Sequence, residues 1–239
     1  MLSPRGRFRE LMSAHALRLT VLVDHPAGLH RLRRAFRGIA GSNAALQVHL
    51  ADSWAEAERR AKAGDFDLAV VDPSFRVESG NAIECLHKTE RLGALCSPER
   101  LILYACRPTS YPALLHELGR TGFSFLSVLG VDDDPDSLLR MVVRAESRRL
   151  LREHLTLRGP HIAKVALSML LQSLSGWPPA TTVDQLARQV GTSPRSLRRI
   201  AARGGLAPPT RLLACGRILD LTVLGHLGVR SRDPSRSCP

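Results

Sequence analysis

The sequence lacks the marks of several large protein classes. No segment of the 239 residues is long and apolar enough to span a bilayer. The opening MLSPRGRFRELMSAHA is basic but has no apolar run, so no secretory leader is expected. The five cysteines (Cys85, Cys96, Cys106, Cys215 and Cys238) lie far apart with no C-x-x-C pair. That spacing fits neither a zinc site nor a disulfide scaffold, and the expected state is reduced, buried thiols in a cytoplasm. Catalytic motifs are missing too: there is no H-E-x-x-H, G-x-S-x-G, G-x-x-x-x-G-K-[ST], or G-x-G-x-x-G after a strand. The nine histidines form no i, i+4 metal pair, and His25 has no nucleophile beside it. The expectation is a non-enzyme without cofactor or metal.

Lysine is also scarce (only Lys62, Lys88 and Lys164), so arginine carries nearly all the positive charge. GC-rich coding produces that bias as readily as function does. The placement of charge is more informative. From His161 onward 11 Lys+Arg face 3 Asp+Glu, against 23 and 19 in residues 1–160, within a formal net charge of +12. The excess sits in the smaller C-terminal third, as expected where a polyanion is met. The length leaves room for two modest domains, each with its own core.

Residues 181–208 read TTVDQLARQVGTSPRSLRRIAARGGLAP. Thr182 can cap a first helix, and Asp184 suits its positive end. Val183, Leu186, Ala187 and Val190 make one face apolar. Gly191 then permits a left-handed turn, Ser193 caps a second helix, and Pro194 sits where no amide donor is needed. Leu197, Ile200 and Ala201 bury that helix. Arg195, Arg198 and Arg199 stand on its opposite face, with Arg203 one turn on. Such a helix suits a major groove, because arginine can bond bidentately to guanine and also neutralise phosphate. The alternative is an ordinary helical hairpin with a solvated basic face.

Upstream, strands and helices alternate. Strands are expected near 17–23, 46–50, 66–71, 100–105 and 123–129, and helices near 28–39, 53–63, 80–94, 110–120 and 135–155. Five such units predict an α/β, doubly wound, five-stranded parallel sheet, followed by a small all-α helix-turn-helix domain. Functional groups in such sheets gather at the carboxyl ends of the strands, here Asp24, Asp72, Ala105 with Cys106, and Val128 with Leu129. The acidic turn VDDDPD (131–136) is expected to be a solvated cap, with Asp134 and Pro135 starting a helix. Val143, Leu150 and Leu157 repeat every seven residues along that helix. Glu146 and Glu153 interrupt the companion positions, so one face is expected to pack on the sheet rather than form a coiled coil.

The pattern L-A-x-x-x-G-x-S-x-x-x-L (Leu186, Ala187, Gly191, Ser193, Leu197), then G-L-x-P at Gly205, Leu206 and Pro208, resembles the first helix-turn-helix of AraC/XylS-type regulators. The resemblance covers about 160–221. It implies an opening helix over 161–174 and a joining helix from Leu212, Leu213, Arg217 and Ile218. It also implies base contacts from Arg195, Arg198 and Arg199. Ser196, Arg203, Arg211 and the amides near Thr192 and Ser193 complete the expected DNA-binding set. The family carries two such units, whereas the joining helix here is expected to fade after Asp220. The tail 222–239 offers no second pattern and reads as disordered. A single unit implies weak binding unless the chain forms a homodimer.

V-D-H-P at 23–26 and V-V-D-P at 70–73, with Gly80 beyond, resemble the receiver domain of response regulators over about 17–155. The resemblance puts Asp72 at the phosphoacceptor position and Asp24 at one of two metal-binding acids. Val23 stands in for the other acid, Ala105 for a hydroxyl and Val128 for a lysine. Without that lysine and with the acid pair halved, little offsets the charge developing in phosphoryl transfer. A pseudo-receiver is expected, with Asp72 capping its own turn. The expected organisation is a basic tail (1–16), a receiver-like domain (17–155), a helix-turn-helix domain (156–221) and a tail. The expected role is a cytoplasmic transcription regulator that binds double-stranded DNA, takes a protein or small-molecule signal, and has no membrane partner. The alternative is a protein-interaction adaptor or truncated regulator without useful DNA binding.

Overall fold

Five short apolar runs become strands, and the central ones are buried on both faces, as a parallel sheet between helical layers requires. The computed structural model describes residues 16–40, 46–77, 81–106, 112–120, 123, 125–158, 164–176 and 179–226. The strands are β1 (Leu17–Leu22), β2 (Leu46–Leu50), β3 (Leu68–Val71), β4 (Leu101–Ala105) and β5 (Phe125–Val128). All neighbours pair in parallel, in the order β2-β1-β3-β4-β5. That is a common order of doubly wound α/β sheets. Every residue of β3 and β4 is buried, whereas β2, at the edge, leaves Val48 and Leu50 exposed.

The helices are α1 (Pro26–Ala40), α2 (Trp54–Ala63), α3 (Ala82–Cys96), α4 (Pro112–Arg120) and α5 (Pro135–Arg158). Alternation along each strand sorts them onto two faces. On one, Leu19, Val21, Val70 and Tyr104 meet Leu32, Ala35 and Phe36 of α1 and Leu138, Met141 and Val142 of α5. On the other, Leu22, Val71 and Leu103 meet Trp54 and Ala57 of α2, Leu92 of α3 and Leu118 of α4. Four further helices follow: α6 (Lys164–Ser175), α7 (Val183–Gln189), α8 (Pro194–Arg203) and α9 (Pro209–His226). They enclose their own small core of Met169, Leu186, Leu197, Ala201, Leu212 and Leu213. Gly216 lets α9 close on α6, since a Cβ there would lie 2.6 Å from the Ser173 carbonyl oxygen. No helix among the described residues is long and apolar enough to cross a membrane.

Three expectations change. The joining helix does not fade after Asp220 but runs to His226, and Asp220 pairs with Arg144 from within it; residues 227–239 lie outside the described residues. The acidic turn is not simply solvated. Asp133 is buried, accepts hydrogen bonds from the Tyr104 hydroxyl (2.6 Å) and the Gly130 amide (2.9 Å), and pairs with Arg31 at 3.2 Å. Nor are the thiols uniformly buried: Cys85, Cys96 and Cys106 are, but Cys215 is exposed. Asp134 does cap α5, accepting from the amides of Asp136 and Ser137. The basic N-terminal tail, Gly80 and Cys238 fall outside the described residues.

The two cores meet along α5. Val143 is buried in the sheet core, so this heptad position is occupied within the chain. On the other side, Arg144 donates to the Gly176 carbonyl at 3.0 Å and to Asp220, and Arg148 donates to Gln172 at 3.2 Å. Asp220 Oδ1 is buried without a partner. One guanidinium therefore does not fully compensate the lost hydration. Burial pushes the Asp220 carboxyl up to about 6, although Arg144 pulls the other way. The closed junction holds this proton more tightly than an exposed aspartate does. The stabilisation is complete below about pH 4 and is lost as pH rises through the folded value. Denaturant titrations should show the wild type gaining about 1 kcal/mol on Asp220→Asn between about pH 7 and about pH 5. A constant difference would show that Asp220 is not buried at this junction.

Candidate nucleic-acid interface

Local chemistry fixes the angle between α7 and α8. Thr182 caps α7 in a reciprocal box, accepting from the Gln185 amide at 3.2 Å while the Gln185 side chain accepts from the Thr182 amide at 3.3 Å. The Gln185 half of that box was readable as T-x-x-Q but absent from the sequence reading. At the other end Gly191 adopts φ +70. Its amide donates to Arg188 and the Thr192 amide donates to Ala187, the two bonds of a Schellman turn. The Thr192 amide is thus engaged in ending α7, which corrects its expected role as a phosphate donor. Ser193 then accepts from the Ser196 amide at 3.1 Å, its hydroxyl 3.1 Å from that of Ser196, and Pro194 opens α8.

The inner side of α8 is closed, with Leu197 and Ala201 buried and Ile200 half-buried. Its outer side carries Arg195, Arg198, Arg199 and Arg203, all exposed. Arg211 is exposed in the first turn of α9, Ser193 is exposed, and Thr192 and Ser196 are half-buried. None of these five arginines meets an acid among the described residues. Arg195, Arg198, Arg199 and Arg203 thus share the outer side of α8, with Ser193 and Ser196 committed to its cap.

The carboxyl edge of the sheet is built differently. Asp72 follows β3, donates its amide to the Leu22 carbonyl at 2.9 Å, and is 1% exposed. Its Oδ1 accepts from both the amide (2.9 Å) and the hydroxyl (2.7 Å) of Ser74, so the carboxylate caps its own turn. Burial pushes the Asp72 carboxyl up, and nearby Asp24 adds to that shift, against the lowering bonds from Ser74 and the Cys106 thiol. Asp24 is half-buried. Ala105 and Val128 end β4 and β5 with no hydroxyl or cation, and the Val128 amide donates to Asp132 at 2.6 Å. Among the described residues no group of three or more His, Cys, Asp or Glu is arranged to hold a metal ion.

No protein-family model matches the chain, and no curated protein does.

The Gly191 turn has nothing within 4 Å of where a Cβ would stand, so a substitution there meets conformational cost alone. Gly191→Ala should destabilise the helical unit by about 1–2 kcal/mol in denaturant melts. No loss would show that the turn is not left-handed.

Proposed function

We propose that the chain is a sequence-reading DNA-binding regulator, in which α8 enters a major groove and the sheet domain is a pseudo-receiver. One observation carries this reading. Four exposed guanidiniums crowd one side of a ten-residue helix whose other side is buried, with no acid partner among the described residues. In the sheet domain Arg91 pairs with Glu58 and Arg120 with Glu117, whereas no acid among the described residues relieves this row. Like charges on neighbouring turns repel one another, so an unrelieved row is best explained by a polyanionic partner.

On this reading Arg195, Arg198 and Arg199 contact base edges, while Arg203 and Arg211 hold phosphates. The resemblance to AraC/XylS-type regulators supports the same assignment. The sheet domain takes a protein or small-molecule signal in a cytoplasm and passes it through α5. It does so without phosphorylation. Asp72 is buried and turned onto Ser74, and Ala105 and Val128, which end β4 and β5, offer neither a hydroxyl nor a cation to a transferring phosphoryl group.

Two experiments test the proposal. Arg199→Ala should weaken binding to the preferred duplex about ten-fold at fixed salt and flatten the preference over a scrambled one. Unchanged affinity for both duplexes would remove α8 from the interface. Incubation with acetyl phosphate and magnesium should leave the intact mass unchanged, whereas a phosphoryl adduct on Asp72 would overturn the pseudo-receiver reading.

A further inference from the structure

Helix α1 repeats the basic pattern of α8 on the sheet domain. His30, Arg33, Arg34 and Arg37 follow the i, i+3, i+4, i+7 spacing of one helix face, and the helix holds no Asp or Glu. The opposite stripe, Leu32, Ala35 and Phe36, is buried in the sheet core. Arg31 turns inward to Asp133, but His30, Arg33 and Arg34 are exposed, and Arg33 and Arg34 meet no acid among the described residues.

On the far face of the sheet, α2 to α4 all carry acids and form the pairs Glu58–Arg91, Glu84–Lys88 and Glu117–Arg120, although Arg59 and Lys62 of α2 meet no acid among the described residues. On the near face α1 holds no acid of its own, and Arg33 and Arg34 meet none among the described residues. This face also carries the helical unit: α1 and α9 both pack against α5, and Leu219 of α9 packs against the cluster that holds Leu32, Ala35 and Phe36.

We infer that the Arg33–Arg34 face of α1 is a second nucleic-acid contact, binding the phosphate backbone of the same duplex that α8 reads. This rests on the DNA-binding reading above. Arg33 and Arg34 can neutralise backbone phosphates whatever the sequence, and loss of a contact of that kind weakens all duplexes alike. A second footing also gives a lone reading helix the charge neutralisation that stable binding to a duplex needs.

The test uses the full chain and labelled duplexes, with affinity followed as salt is raised. Neutralising both arginines (Arg33→Gln with Arg34→Gln) should make the slope of log K against log salt shallower by about two, because each phosphate contact contributes about 0.9. Preferred and scrambled duplexes should weaken by the same factor, unlike Arg199→Ala, which separates them. Arg33→Lys with Arg34→Lys should keep the wild-type slope, since a phosphate requires only charge. An unchanged slope in the glutamine variant overturns the inference and leaves the α8 reading intact. Equal losses in the lysine and glutamine variants also overturn it, because they indicate a structural role. So does a glutamine variant impaired only on single-stranded RNA, which would assign the row to another polyanion. A wild-type chain that binds no duplex overturns both readings.

Discussion

Helix α5 is buried along two sides, and that constraint sets how the rest of the chain can be arranged. Its apolar stripe completes one layer of the sheet domain, while Arg144 and Arg148 reach into the helical unit. A helix shared by two cores cannot turn about its axis without exposing leucines on one side or stranding guanidiniums on the other. Either change costs several kcal/mol, a large share of the roughly 5–15 kcal/mol that holds a domain together. The two cores are thereby fixed in one relation, with Arg144 at the contact.

The distribution of acids follows from this frame. In the sheet domain they are committed to structure: Asp67 to Arg18, Glu146 to Arg149, Asp133 to Tyr104 and Arg31, and Asp72 to its own turn. The helical unit has few acids, and Asp220 is taken by Arg144. Its outer arginines meet no acid among the described residues. The positive edge of α8 is thus a product of the whole charge arrangement and not of that helix alone.

Much of this was legible in the sequence for local reasons. The runs LRLTVLV and LILYA announce buried strands, and Thr182, Gly191, Ser193 and Pro194 each act on a backbone group within a few residues, so the α7–α8 turn could be read directly. What escaped the reading was long-range. Nothing near Asp133 reveals that Tyr104 waits beneath it, and Arg144 finds Asp220 76 residues away. The engagement of the Thr192 amide was missed differently: the Schellman turn was implied by Gly191, but its second bond was not followed through.

The account stands or falls on whether α8 distinguishes one duplex from another. Selection of bound fragments from a random duplex pool by the full chain, at one fixed salt concentration, asks this most directly. The account predicts convergence on a short motif containing guanines, the bases that arginine pairs with bidentately. A bound pool with the same composition as the input would contradict it.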